Sequence, residues 1–406
     1  ESSASPSAYS LLADYFSHQV RASVISIFAS GLYIGSGIGI FIGGLIVDNW
    51  NNAYPIISEA PFGLKGWQVA FMAVGIPGML LALLTWQIKE PPRGLSEGLI
   101  SSESKNPLKE TFKELVGLTP FGLVGSDNFK KELSINIIFT VLIFLASYYL
   151  YVLTGDFLQW TAFGIGVYVI CNWIHGLKNR DPVAFLLIFK SKALLLGLLS
   201  FPFITFVTYA LGAFGPSFYI RNFSMTATEV GIIYGLITVF GSMIGVICGG
   251  ILGDKLRETY VNGKLYLIMA SAVLTGVTAI GFIHSENLVA SFTWKFVYHI
   301  ASTAWLGCAA STVTELVLPR LRAVASAFFI LMLSMIGLAL GPYLTGMVSD
   351  IYINSGLLPG PALKNAMTLT LVVLVLPFGL LAVACKYLKN DEAEIYEKAR
   401  SLGEEI

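Results

Sequence analysis

The chain has 406 residues, of which 55% are hydrophobic and only 12% are charged. Soluble domains average about 25% charged residues, so this apolar surplus predicts a protein surrounded by lipid. Basic and acidic residues number 25 each, and this balance argues against a nucleic-acid partner.

Ten stretches are long and apolar enough to span a membrane, because a helix needs roughly 20 residues to cross about 30 Å of hydrocarbon. Residues 1–16 resemble the tail of an earlier span. Backbone amides in lipid are satisfied only within helices or closed barrels, and these stretches lack the alternation of barrel strands. The sequence therefore predicts an all-α polytopic membrane protein. The stretches cover approximately 23–47, 67–88, 134–153, 157–174, 193–216, 228–252, 265–283, 293–314, 323–349 and 366–386.

The positions of Lys and Arg predict the orientation, since these residues are enriched in cytoplasmic loops. If the loop containing Arg21 is cytoplasmic, all basic residues except Lys65, Arg221, Lys295 and Lys364 fall on that side. We therefore expect a multi-pass protein of a bacterial inner membrane with a cytoplasmic C-terminal tail.

The longest polar segment covers 89–131 and begins with two prolines, Pro91 and Pro92, which stop a helix. Between 108 and 116 apolar and charged residues are interleaved, which fits a helix on the membrane surface and a solvated linker helix equally well. We predict five regions. They are the remainder of an N-terminal bundle (1–95), a cytoplasmic linker with an amphipathic helix (96–132), an inserted transmembrane helix pair (133–176), a C-terminal bundle (190–390) and a cytoplasmic tail (391–406).

An internal repeat relates the two ends of the chain. Asp14 precedes Arg21 by seven residues, and Glu315 precedes Arg322 by seven. Each arginine is followed by a glycine-rich apolar run that ends near an aspartate, as expected for two similar halves of a transporter. Because four spans precede the second copy in its half and only a stub precedes the first, about three helices and most of a fourth are predicted to be missing. The matching residues are Gly35, Gly39, Gly44 and Asp48, and Gly337, Gly341, Gly346 and Asp350.

Several motifs resemble the major facilitator superfamily and, within it, the Spinster-like group. The loop after the eighth family helix carries a glycine, acid and basic signature, and the chain start resembles the end of that group's fourth helix. The resemblance implies a fold of two six-helix bundles, here without the first helices and with an extra helix pair between the bundles. The matching residues are Gly249, Gly253, Asp254, Lys255 and Arg257, then Glu1, Ser5, Pro6, Asp14, Tyr15, Phe16 and Arg21, and finally Gly215, Pro216, Ser217, Phe218 and Arg221.

The resemblance implies a secondary active transporter that works by alternating access, coupled to protons, with lysolipid-like cargo. Glu1 matches the family glutamate that takes part in proton-linked function. The open alternatives are a carrier for drugs, organic anions or sugars, and a non-transporting receptor on a transporter fold. We expect membrane lipid, a small-molecule substrate and protons as partners, and a monomer.

A gate is predicted where charges meet at the cytoplasmic helix ends. By resemblance, Asp254, Lys255 and Arg257 form a latch there, although an ordinary turn with positive-inside charges has the same composition. The repeated acids and arginines either pair between bundles and close that side or extend to the surface. The repeated residues are Asp14, Arg21, Glu315 and Arg322.

Candidate substrate or coupling residues lie inside the spans, where polar side chains are rare. His299 could titrate near neutral pH or be a hydrogen-bonded core residue. Tyr209, Tyr298 and Trp305 fit a cavity lining as well as packing or interfacial roles. The histidines are far apart, the cysteines stand singly, and no phosphate-binding loop is present. We therefore predict no enzyme activity, no catalytic residues, no metal site and no cofactor.

Overall fold

The computed structural model describes residues 4–92, 94–97, 116, 119 and 129–401. Within this part of the chain every regular element is a helix, which confirms the predicted all-α class. Glu1 and most of the predicted linker helix at 108–116 lie outside the described residues. The division into five regions stays a prediction.

The first repeat and the inserted pair form five helices. The tight turn between the helices Phe129–Thr154 and Phe157–Arg180 requires a left-handed conformation at Gly155, where φ is 80°. The helices are α1 (Ala4–Tyr15), α2 (Arg21–Ala53), α3 (Gly66–Thr85), α4 (Phe129–Thr154) and α5 (Phe157–Arg180).

The remaining helices form the second repeat. Short helices precede and follow it, and several of its spans are divided into consecutive segments. The helices are α6 (Pro182–Phe189), α7 (Lys192–Phe223), α8 (Ala227–Thr259), α9 (Gly263–His284), α10 (Leu288–Thr303), α11 (Leu306–Glu315), α12 (Arg322–Met332), α13 (Ala339–Asn354), α14 (Pro359–Thr370), α15 (Val375–Ala384) and α16 (Leu388–Ser401).

Eight helical segments among the described residues are long and apolar enough to cross a membrane. They match eight of the ten predicted spans. The predicted span 23–47 corresponds to α2, a helix of 33 residues. The predicted span 293–314 is divided into α10 and α11.

One span contains a π-helical turn, Leu333–Leu338, between α12 and α13. Pro342 lies just beyond this turn and cannot donate a backbone hydrogen bond, so a local change in helical pairing is expected there. The turn packs closely on α7, because a Cβ added to Gly337 would lie 2.7 Å from the Cβ of Thr205. The break therefore lies where two helices of the second repeat approach each other.

The two repeats meet where α2 crosses α8 and α11. Small residues allow this approach. A Cβ added to Gly250 would lie 2.6 Å from the carbonyl oxygen of Ala22, and one added to Gly307 would lie 2.8 Å from the same atom. This close backbone packing brings the ends of α2 and α8 together, where the charged residues of the candidate site lie.

Candidate functional site

Arg21 and Arg322 occupy equivalent positions, each as the first residue of a helix and each fully buried. Arg21 Nη2 donates to the carbonyl oxygen of Ala13 at 2.8 Å, and Arg322 Nε donates to that of Thr314 at 3.3 Å. Both carbonyls lie eight residues before their arginine. The repeat seen in the sequence is therefore also a repeat in three-dimensional geometry.

Arg322 joins the second repeat to the first. Its Nη1 donates to Asp14 Oδ1 at 2.7 Å, and its Nη2 contacts Glu97. Asp14 Oδ1 also accepts a hydrogen bond from the backbone N–H of Gly94 at 3.0 Å. A buried guanidinium with two carboxylates has its charge compensated, whereas loss of either partner would leave an uncompensated buried charge.

Glu97 is the most connected carboxylate of the site. Its Oε1 lies 3.1 Å from Arg21 Nη2 and 3.1 Å from His18 Nε2, and its Oε2 accepts from the Tyr396 hydroxyl at 3.0 Å. Burial alone would raise the pKa of Glu97, but the hydrogen bond from His18 and the charges of Arg322 and Arg21 outweigh it and lower the pKa to about 2. Glu97 is therefore ionised at neutral pH and balances the buried arginines.

A second group of charges forms around Lys264, at the start of α9. Its Nζ donates to Glu315 Oε1 at 2.6 Å and to Ser311 Oγ at 2.8 Å, and it lies 3.4 Å from Asp254 Oδ1. His18 lies between the two groups, because its Nδ1 is 4.0 Å from Glu315 Oε1. The acid of the second repeat thus pairs with a lysine of its own repeat.

Asp254 binds the N-terminus of α2. Its Oδ2 accepts from the backbone N–H and from the hydroxyl of Ser23, both at 2.7 Å, and its Oδ1 accepts from the N–H of Ala22 at 3.2 Å. The first N–H groups of a helix have no partner within the helix and favour a negative charge. A carboxylate of one repeat therefore caps a helix of the other.

We use the term charged cluster for the residues that these contacts connect. Of the predicted gate residues, five belong to it. Arg257 lies apart, in an ion pair with Glu392 at 2.5 Å, and Lys255 is exposed. The charged cluster consists of Asp14, His18, Arg21, Glu97, Asp254, Lys264, Glu315 and Arg322.

The predicted cavity residues differ in their exposure and contacts. Tyr209 is 44% exposed. Trp305 is buried, and its indole N–H donates to the carbonyl oxygen of Ser302 at 3.0 Å. Their roles in binding or coupling, like that of Glu1, stay predictions.

His299 and Tyr298 lie together inside the second repeat. The ring nitrogens of His299 lie 3.1 Å from Thr238 Oγ1 and 3.4 Å from Ser242 Oγ, both on α8. The rings of Tyr298 and His299 are 5.3 Å apart and nearly perpendicular. The contacts of His299 are those of a hydrogen-bonded core residue, and its proposed coupling role stays a prediction.

Three functional candidates were not identified from the sequence. Glu97 lies in the polar segment after Pro92, where a carboxylate has the appearance of a solvated loop residue. The charge pattern places Lys264 only in a cytoplasmic loop. It places Lys295 on the opposite side, as an exception to the rule, but this residue is completely buried in α10. The one sequence feature that points to Lys295 is that it is the third residue of the predicted span 293–314.

The apolar helices and the buried charges at helix ends define a multi-pass integral membrane protein. A sequence profile of the Major Facilitator Superfamily matches residues 1–342, and the chain belongs to this superfamily. The family predicted from the motifs is thereby confirmed.

Several characterised proteins are similar to this chain. An MFS-type efflux pump of Mycolicibacterium smegmatis is 30% identical over 201 residues, which are 49% of this chain and 45% of that protein. Protein spinster of Drosophila melanogaster is 22% identical over 362 residues, or 86% of this chain and 45% of that protein. Protein spinster homolog 1 of Homo sapiens is 21% identical over 366 residues, or 86% of this chain and 53% of that protein. The chain spans about half the length of these relatives, and the predicted resemblance to the Spinster-like group is confirmed.

Crystal structures of a bacterial homologue of the human lysosomal transporter Spinster are also similar. One, described as inward-facing and unoccupied, has a TM-score of 0.45 and 22% identity, covering 96% of this chain and 74% of that chain. The other, inward-facing and occupied, has a TM-score of 0.45 and 21% identity over the same shares.

Proposed function

We propose that the protein is a secondary active transporter that moves an amphipathic, lysolipid-like solute by alternating access, driven by protons. In this proposal the charged cluster is the cytoplasmic gate, and the C-terminal tail is cytoplasmic in a bacterial inner membrane. The observation that carries the proposal is the pair of contacts between repeats, Arg322 with Asp14 and Asp254 with the start of α2.

Alternating access needs contacts that hold two bundles together at one end and that can be broken as a set. The charged cluster has both properties. Its ion pairs and backbone hydrogen bonds join segments more than 200 residues apart, such as Asp254 and Ser23. They lie at helix ends beside His18, whose side chain is 51% exposed. Opening the gate would exchange these contacts for hydration, so both gate states can be populated.

The lysolipid class of cargo rests on the similarity to Spinster proteins over 86% of the chain. The similarity to an efflux pump at 30% identity favours a second candidate, export of drug-like compounds. Both cargo classes are amphipathic and suit a transporter whose helices are surrounded by lipid.

The test uses the purified full-length protein in proteoliposomes to which lysophosphatidylcholine is added. Albumin then extracts the lysophosphatidylcholine that remains in the outer leaflet, so that the retained amount measures transport. Accumulation that exceeds protein-free liposomes and rises with an imposed pH gradient supports the proposal. Lysophosphatidylcholine accumulation that does not change with the pH gradient would refute proton coupling. Transport of ethidium without transport of lysophosphatidylcholine would favour the export candidate. Saturable binding without movement of either probe would indicate a receptor and overturn the transport proposal.

Arg322→Gln provides the matched variant for the gate. It removes the charge that faces Asp14 and Glu97, so the cytoplasmic gate should be closed for a smaller fraction of the time. Access would then no longer alternate strictly between the two sides of the membrane. We expect at least a tenfold loss of gradient-driven accumulation. Lys255→Gln, which changes an exposed neighbour of Asp254, should retain the wild-type rate.

A further inference from the structure

Lys295 is a buried cation outside the charged cluster. It lies in α10 with 0% of its surface exposed, and its Nζ has no hydrogen-bond partner among the described residues. An ammonium group in an apolar interior is costly unless it is paired, so intramembrane lysines are rare and usually functional.

Three aromatic rings surround this amine. Nζ lies 4.3 Å from the centroid of Phe282 on α9, 4.5 Å from that of Tyr298 on α10 and 4.9 Å from that of Tyr234 on α8. All three distances are within the range of cation–π attraction. We call Lys295 with these three rings the lysine cage.

The titratable groups that face the lysine cage are phenols and an imidazole. Tyr219 on α7 has its hydroxyl 3.1 Å from Ser291 Oγ, and the Tyr234 hydroxyl donates to the carbonyl oxygen of Leu211 at 3.4 Å. No hydrogen bond of ordinary geometry reaches Lys295 Nζ or the Tyr298 hydroxyl from the described residues, although Ser302 and Thr208 lie close to that hydroxyl. His299 faces hydroxyls of α8. In this part of the chain, then, no carboxylate forms a salt bridge with Lys295.

The lysine cage therefore balances two opposed effects. The ring faces attract the protonated amine, while complete burial without a carboxylate partner among the described residues favours the neutral amine. Gain or loss of a proton changes the charge of the site without breaking any ion pair. The amine would exchange this proton with water when α8 and α10 separate during a conformational change.

We propose that Lys295 is a proton-binding residue of the second repeat, which takes up and releases one proton in the folded protein. The proposal deepens the proposed function, since it rests on proton coupling for its purpose. The binding of the proton itself is measurable without any transported substrate.

The first experiment measures thermal unfolding of the full-length protein in detergent micelles from pH 6 to 9. An unfolded lysine keeps its proton to about pH 10, so release below that pH occurs only in the folded state and stabilises it as pH rises. We expect the Tm of wild type relative to Lys295→Met to rise across this range. A constant difference would overturn the proposal.

Two further variants protect this test against misfolding and indirect effects. Lys295→Gln replaces the amine with a neutral amide, and Lys295→Arg keeps a charge that does not titrate in this range. The Tm of wild type should increase with pH relative to the Tm of each of these two variants. Lys389→Met, at an exposed position of α16, should unfold in parallel with wild type at every pH.

The rings of the cage provide a second readout. Tyr298→Phe keeps the ring and removes only the hydroxyl, so it should leave the pH dependence of Tm unchanged. Tyr298→Leu removes one attractive ring face, which favours the neutral amine. The pH at which Tm begins to rise should therefore be lower in this variant. If Tm began to rise at the same pH in both variants, the rings would not stabilise the protonated amine, and the lysine cage would be contradicted.

The two proposals fail in distinguishable ways. A pH-dependent Tm difference without movement of any probe in proteoliposomes would keep Lys295 as a proton site and refute the transport function. Gradient-driven accumulation with a constant Tm difference would keep the transport function and refute the role of Lys295.

Discussion

The charged cluster and the lysine cage both bury cations, but they compensate them differently. In the charged cluster, Arg322 is held by carboxylates from the first repeat and the linker, and Lys264 by acids of its own repeat. In the lysine cage, the contacts that the described residues make with the amine of Lys295 come from aromatic rings. Separating the first arrangement requires several ion pairs and hydrogen bonds to break together, whereas the second can change its charge without breaking any ion pair.

The largest effect should come from the arginine that joins the repeats. Arg322→Gln leaves the buried carboxylate of Asp14 without its cation, and such a loss costs about 3–5 kcal/mol in buried pairs. Denaturant unfolding in detergent would measure this loss. Arg257→Gln is the control, because its ion pair with Glu392 is about a quarter exposed and should contribute about 1 kcal/mol or less. Equal losses of unfolding free energy in Arg322→Gln and Arg257→Gln would show that the charged cluster stabilises the protein no more than an exposed ion pair does.

The lysine cage can be disturbed without changing any of its residues. A Cβ added to Gly245 on α8 would lie 2.3 Å from the carbonyl oxygen of Ile300 on α10. Gly245→Ala should force these helices apart and reduce the free energy of unfolding by about 1–3 kcal/mol. Gly235→Ala is the matched control on the same helix, since its Cβ would meet nothing within 4 Å. Equal stability of the two variants would show that close packing of α8 and α10 is dispensable.

The cap on α2 should contribute less than the arginine pair. Asp254→Asn keeps the size of the side chain but removes one acceptor oxygen and the charge facing Lys264 and the helix N-terminus. We expect a loss of about 1–2 kcal/mol in the free energy of unfolding. Lys255→Gln, at the exposed neighbouring position, should change it by less than about 0.5 kcal/mol. A loss in the Lys255 variant as large as that in Asp254→Asn would contradict the capping role.

The smallest effect near neutral pH concerns the titration of Glu97. Its folded-state pKa is about 2, below its ordinary value of 4.5, so its contribution to stability is complete above about pH 4.5 and is lost as pH falls toward 2. Wild type should therefore lose stability relative to Glu97→Gln between pH 5 and 3, with parallel behaviour between pH 6 and 8. Unfolding curves that stay parallel at low pH would contradict the position of Glu97 between the arginines.

The sequence predicted the helices well because hydropathy over roughly 20 residues is a local property. It also identified Asp14, Arg21, Glu315 and Arg322, since an internal repeat is visible without knowledge of contacts. Even there the pairing differs from simple symmetry, as Arg322 binds Asp14 while Arg21 binds Glu97. Which acid faces which arginine depends on helix crossing, and this is not encoded in local spacing.

Glu97 and Lys295 show why the rest of the site was missed. Glu97 follows a proline-rich stop and has polar neighbours, so only the return of the chain to α1 reveals its burial. Lys295 lies near the start of a span, where lysines ordinarily extend to the surface. Its burial depends on rings from α8 and α9, which no pattern within α10 indicates.

A double-mutant cycle of Asp14→Asn and Arg322→Gln tests most directly the claim that the charged cluster joins the two repeats. The free energy of unfolding of the full-length protein would be measured for wild type, both single variants and the double variant. The contact at 2.7 Å predicts that the double variant loses less than the sum of the single losses, with a coupling of about 1–3 kcal/mol. Additive losses would show that the two residues act independently and would contradict the gate.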